Sequence, residues 1–202
     1  MRPALTALLL AAGLVTVGLV TAYHRTPEPA ASIGTGPAFD PVAFFSGHTH
    51  STGVIESRSG TPTERIATDS HGNTDGADRL SMVQTLSFQD GRTQQRDWTL
   101  WRSGQNQFDA TANDMVGMAK GEAQGGLFHW QWVWARSPGN RLMNVTMNQW
   151  MYRMDDGSVT IRTTVSKFGF IVAEVTEQFV RVGVSLARSG SKSDVLPEIG
   201  PG

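Results

Sequence analysis

Along most of the middle of this chain apolar residues recur at every second position, and short polar turns break the pattern at regular intervals. Leu80, Met82, Leu86 and Phe88 share one face of a stretch in which Gln84 is the exception. Phe128, Trp130, Trp132 and Trp134 share another face, opposed by His129 and Gln131. Met143, Val145 and Met147 oppose Asn144, Thr146 and Asn148, and Val159, Ile161 and Val165 oppose Thr160, Arg162 and Thr164. Successive side chains of a strand point to opposite faces, so a period of two reads as half-buried antiparallel strands. Turn signals stand at Arg58–Thr61, Ser70–Asn73, Gln89–Arg92, Ser103–Asn106, Ser137–Asn140 and Asp155–Ser158. Asp90-Gly91 and Asp156-Gly157 are the strongest of them, because type I′ hairpin turns need positive φ at both central residues.

Eight to ten such strands joined by tight turns must hide their edges, and closing the sheet does so most completely. The expected fold is therefore all-β, an antiparallel up-and-down barrel spanning 39–183. A two-sheet sandwich is the alternative, but its crossovers need longer connections. The helical signal is Asp40 followed by Pro41, an N-cap with proline at N1, opening DPVAFFSG. It predicts a short helix or turn before the first strand.

The flanks read differently. No charge occurs from Pro3 to Tyr23, a run of 21 residues ending near Val20-Thr21-Ala22. A membrane span needs about 20 apolar residues, and a signal peptide ends at small ones, so residues 1–25 are expected to be a membrane anchor or a signal segment. Either places the rest on the extracytoplasmic side of the cell envelope, tethered to the membrane or exported. Residues 26–38 form a Pro/Gly/Ala linker, and 184–202 a polar Gly/Ser/Pro tail expected to be disordered.

Charge and cysteine content exclude whole classes. Seventeen basic residues face 18 acidic ones, which leaves no basic excess to hold a phosphate backbone. The chain has no cysteine, hence no disulfide, thiolate metal site, thiol nucleophile or lipidated cysteine. GxSxG, P-loop, GxGxxG after a strand and HExxH are absent, so a serine, phosphate or dinucleotide enzyme has no support.

The aromatic stripe Phe128/Trp130/Trp132/Trp134 admits three readings: filling of a small barrel, one wall of an apolar cavity, or a membrane-facing patch. On the next strand Asn144, Thr146, Asn148, Trp150 and Tyr152 share the opposite face, which polar residues favour as outward and the two aromatics favour as inward. Arg96 and Trp98 share a face and suit cation–π packing. His48 and His50 share another, but zinc wants three or four ligands, and nothing in the sequence brings His71 or His129 near them. Asp155-Asp156 is explained by its turn, and Glu174 and Glu177 fall on opposite faces, so they form no carboxylate pair. Lys167-Phe168-Gly169 reads as a strand-entry bend.

An ordered set of short motifs runs through the same region. It comprises Phe44-Phe45-Ser46-Gly47, Gly53, Asp90-Gly91, Arg96 with Trp98, Asn113-Asp114-Met115-Val116-Gly117-Met118-Ala119 with Gly121, Trp150-Met151-Tyr152 and Lys167-Phe168-Gly169. In these the chain resembles a bacterial family designated domain of unknown function 3833. The resemblance implies a lipocalin-like barrel, exported to the envelope, in a setting of lipid metabolism. Two departures stand out. The family's lipobox cysteine is missing, and Asn148-Gln149 stand where the family tends to carry Asp-Asp.

The function expected from pattern and resemblance together is noncatalytic binding or carriage of an apolar ligand, a lipid or fatty acid, by a monomer. The residues expected at the ligand are Phe128, Trp130, Trp132, Trp134, Trp150, Tyr152, Trp98 and Arg96. No cofactor, metal or nucleic acid is expected, and the membrane is met through the N-terminal segment. The alternatives are a barrel enzyme of isomerase, cyclase or hydrolase type, marked by a buried acid or histidine, and a solid-barrel scaffold, marked by a filled interior.

Overall fold

The structure, a computed structural model, describes residues 38–183. The expected membrane or signal segment, most of the linker and the tail lie outside the described residues. Ten antiparallel strands run in order around a closed barrel: β1 Gly47–Ser57, β2 Pro62–Asp75, β3 Arg79–Phe88, β4 Thr93–Arg102, β5 Gln107–Ala112, β6 Met115–Gln124, β7 Leu127–Trp134, β8 Val145–Arg153, β9 Val159–Lys167 and β10 Phe170–Arg181. Each strand pairs with its neighbours in sequence, and β1 pairs with β10 to close the ring. Closure leaves no unpaired edge, as the tight turns predict.

The expected short helix is one turn, α1, Pro41–Phe44. Asp40 caps it, its Oδ1 accepting from Val42 N at 2.9 Å and Ala43 N at 3.3 Å. This turn stoppers one end of the barrel. Phe39, Val42, Phe44 and Phe45 are all buried against Leu80, Leu100, Phe108, Phe128 and Phe179. Arginines at the strand ends pin it: Arg102 Nη2 donates to Asp40 Oδ2, and Arg181 donates to the carbonyls of Ala43 and Ser46.

The turn expected at Ser70–Asn73 does not exist. These residues continue β2, and the reversal comes after Asp75, where Gly76 takes positive φ. Gly72 has another purpose: a Cβ there would overlap the carbonyl oxygen of Phe45, so the glycine lets the stopper lie against the barrel wall. Lys167-Phe168-Gly169 is likewise no strand-entry bend. It is the β9–β10 hairpin turn, with Lys167 paired to Phe170 and both Phe168 and Gly169 at positive φ.

Candidate functional site

Inside the barrel the inward residues form layers. Nearest the stopper lies the phenylalanine cluster. Above it Trp98, Trp130 and Trp132 pack together, with ring centroids of Trp98 5.0 Å from Trp130 and 5.2 Å from Trp132. This level is nearly solid, retaining a cavity of about 60 Å³. The tryptophan stripe therefore fills core over most of its length.

A polar belt lies above the tryptophans, and each member has a physical reason to be there. A buried indole N–H needs an acceptor. Trp98 Nε1 donates to Gln84 Oε1 at 2.7 Å, and Trp130 and Trp132 both donate to Gln149 Oε1. The two amides are completed by Gln84 Nε2 donating to Ser70 and Gln149 Nε2 donating to Thr163 Oγ1. Gln84, the exception in the β3 alternation, is thus the partner that its apolar face requires.

Two charged groups complete the belt. Arg96 Nε lies 2.8 Å from both carboxylate oxygens of Asp114, with its guanidinium carbon 4.7 Å from the Trp132 ring centroid. Its Nη1 has no partner among the described residues. Glu177 stands on β10, accepting at Oε1 from Ser51 Oγ at 2.8 Å and Thr68 Oγ1 at 2.9 Å. Its Oε2 makes no hydrogen bond among the described residues, and the side chain faces the lumen. Burial in the barrel pushes the Glu177 carboxyl above the ordinary carboxylate range. The two hydroxyl donors and the charge of Arg96 oppose that shift without cancelling it.

Above the belt the barrel opens. A cavity of about 460 Å³ has an apolar collar that includes Ile55, Leu86, Phe88, Trp134, Val165 and Val175. Arg96, Gln149, Thr163 and Glu177 form its floor. That volume falls within the roughly 300–1,000 Å³ of small-molecule sites. Arg92 and Arg136 stand at the lip, where Arg92 pairs with Glu64.

Of the residues expected at a ligand, Trp134 and Arg96 line this cup, whereas Phe128, Trp130, Trp132 and Trp98 lie below it in packed core around the small cavity. Trp150 and Tyr152 are a correction. Gln149 and Met151 point inward, so the two aromatics lie on the outer face, where Trp150 stacks on His129 at 4.0 Å. The sequence reading missed Gln149, Asp114 and Glu177. Val175-x-Glu177-x-Phe179 carried the signal for the last, because the alternation puts Glu177 on the apolar face.

On the outer wall His48 and His50 both meet Asp69 Oδ1, at 3.2 and 3.0 Å. The strand register stacks His71 on His48 at 4.3 Å, which the sequence did not foretell. His50 and His48 hold the Asp69 carboxyl below the usual carboxylate range. Among the described residues no group of three or more His, Asp or Glu is arranged to hold a metal ion.

Solved structures that share this barrel include the following two. An S-type phycobiliprotein lyase, CPES, from Guillardia theta matches with a TM-score of 0.53 at 9% identity, over 77% of this chain and 98% of the lyase. A protein of unknown function of the DUF3598 family from Nostoc punctiforme matches with a TM-score of 0.51 at 16% identity, over 74% of this chain and 51% of that one. Identities this low speak for the fold alone. No curated protein matches the sequence. Residues 18–181 match the family model described as protein of unknown function, DUF3833, and the chain belongs to that family.

Proposed function

We propose that the barrel is a noncatalytic binding protein for a small amphiphile, a fatty acid or similar lipid, that enters polar end first. The observation that carries this reading is the cup of about 460 Å³ with an apolar collar over a floor of Arg96, Gln149 and Glu177. Arg96 Nη1 offers an N–H to that floor, which suits a hydrogen-bond-accepting head such as a carboxylate or carbonyl. The collar suits a hydrocarbon chain, at about 0.8 kcal/mol for each methylene taken out of water. The Guillardia theta lyase contributes only the fold to this reading, since one barrel hosts many unrelated functions.

Native mass spectrometry of the full chain purified in mild detergent tests the proposal. A co-purifying amphiphile of defined mass, displaced by added long-chain fatty acid, supports it. An empty barrel, with no intrinsic-fluorescence response across several lipid classes, overturns it.

A second reading rests on Glu177 itself. A carboxyl whose affinity for its proton is raised by burial beside an open cup can act as a general acid. Conversion of the bound ligand by the wild-type chain, lost in Glu177→Gln while binding persists, would select an enzyme over a carrier.

A further inference from the structure

The turns at the two ends of the barrel differ in charge and in surface. At the stoppered end the connections after β2 and β8 carry Asp78, Asp155 and Asp156. The arginines there sit at strand ends, where Arg102 pairs with Asp40 and Asp78, and Arg153 and Arg181 donate to backbone carbonyls of residues 38–46. At the open end the connections carry Arg58, Arg92, Arg136 and Arg141, with Lys167 beside the last turn. Of the acidic residues there, Asp90 and Glu64 are both engaged by Arg92 and Asp114 by Arg96, and the charge of Glu56 at the end of β1 stands against those of Arg58, Arg136, Arg141 and Lys167. The open rim therefore presents an excess of positive charge.

The same rim carries large apolar side chains in water. Phe168 is 72% exposed, Phe170 59%, and Leu142, in the 3₁₀ turn Arg141–Met143 between β7 and β8, 68%. Two of these tips have a cation next to them in sequence, Arg141-Leu142 and Lys167-Phe168. The Lys167 ammonium lies 5.6 Å from the Phe168 ring centroid.

Phe168 is the most telling of them. It holds φ of 50° in a two-residue hairpin turn. Asn, Asp or Gly would serve that position better, because a bulky residue in the left-handed region is an outlier. Packing does not explain the choice, since the ring projects into solvent. A strained backbone that holds an exposed ring at the lip of a cavity points to something outside the chain that receives the ring.

We infer that the open rim docks on an anionic lipid bilayer, with Phe168 and Leu142 inserted among the headgroups and the rim cations over the lipid phosphates. Aromatic side chains favour the membrane interface, and basic residues near an anionic surface are attracted to it. Charge complementarity favours a bilayer over a second copy of this chain, whose rim would carry the same sign. Docking in this way aims the mouth of the cup at the membrane. The inference stands on the rim alone and does not depend on what the cup holds.

The absence of cysteine makes the test direct, because one introduced cysteine takes one nitroxide label. Phe168→Cys, Leu142→Cys and, at the stoppered end, Asp155→Cys are made singly in the full chain and mixed with phosphatidylglycerol or phosphatidylcholine vesicles. Power-saturation measurements compare collisions with oxygen, which partitions into lipid, and with a water-soluble nickel chelate. The expected result is a several-fold higher oxygen-to-nickel ratio at 168 and 142 than at 155 in phosphatidylglycerol, reduced in phosphatidylcholine. Depth at single positions is the readout, so attachment through residues 3–23 does not imitate it. Equal nickel access at all three positions in phosphatidylglycerol overturns the inference. So does dipolar broadening between labels at 168, which would mark a rim-to-rim pair of chains. Ligand capture by the unlabelled chain is measured separately, so failure of one reading is distinct from failure of the other.

Discussion

Arg96 and Asp114 form a two-pronged ion pair inside the upper barrel, with side-chain exposures of only 8% and 16%. Their strands do not pair at this point; the contact joins the inward face of β4 to the β5–β6 turn. Removing one partner leaves a charge in a poorly hydrated site, which is more damaging than never having had the pair. Asp114→Ala should cost about 3–5 kcal/mol. At roughly 2–4 °C per kcal/mol for a domain of this size, thermal melting should fall by about 6–20 °C. Arg96→Met combined with Asp114→Leu should recover much of that loss. An unchanged melting temperature for Asp114→Ala would mean that the pair holds nothing together.

Glu177 makes the stability of the barrel depend on pH in a defined direction. Its folded carboxyl titrates above the ordinary value of 4.5 because burial disfavours the charged form. Below that value the group is neutral folded or unfolded, and its environment costs nothing. As pH rises the unfolded chain ionises first, and stability falls until the folded carboxyl ionises as well. The slope in that window is about 1.4 kcal/mol per pH unit for one group. Glu177→Gln should remove this slope and leave the variant more stable than wild type above the window. Denaturant titrations from pH 4 to pH 8 on both chains check it, and parallel profiles would contradict it. The charged group facing Glu177 across the lumen, Arg96, is present in both chains, as are the Ser51 and Thr68 hydroxyls.

Gly121 sits where no side chain fits. A Cβ there would overlap the Phe128 ring and lie 3.1 Å from Trp130 Cβ, and both residues are buried. Those rings are locked by their own neighbours, Phe128 by Phe108 at 5.6 Å and Trp130 by Trp98 at 5.0 Å. Gly121→Ala should therefore destabilise by about 1–3 kcal/mol, the usual cost of overpacking. Denaturant unfolding followed by tryptophan fluorescence measures it.

The barrel was legible in the sequence because closure, alternation and tight turns all leave a period-two signal. Errors arose where a local rule met a long-range one. Ser70–Asn73 has turn chemistry, yet Gly72 serves the passage of Phe45, which arrives from elsewhere in the chain. The interior polar belt was only half visible. Gln84 and Gln149 break or border apolar alternations and read as irregularities until the indoles they satisfy are located across the lumen. Asp114 meets Arg96 because the β4–β5 hairpin pairs Trp98 with Ala112, and two residues further along that register Arg96 falls opposite Asp114. Trp150 and Tyr152 lie on the outer face because strand phase, not aromatic content, decides which way a side chain points.

Trp132 and Trp134 stand two residues apart on β7 and should respond to truncation in opposite ways. Trp132 is 2% exposed, packed edge-on against Trp98 and bonded through Nε1 to Gln149. Trp132→Ala empties a packed site and removes one of the two indole donors to Gln149 Oε1, so a loss of about 3–5 kcal/mol is expected. Trp134 is partly exposed at the collar of the open cup, with Arg136 near its ring. Part of its surface already faces space, so Trp134→Ala should cost little more than about 1 kcal/mol, the centre of the range for single substitutions. Ligand affinity should change in the reverse order. If the cup holds an amphiphile, Trp134→Ala removes collar contact made only in the bound state and weakens binding without unfolding the barrel. Thermal melting of both variants, paired with fluorescence titration of long-chain fatty acid, separates the two roles. A Trp134→Ala chain that binds as wild type does would remove the collar from the site, and an undamaged Trp132→Ala chain would show that the layer beneath the cup is not the packed floor described above.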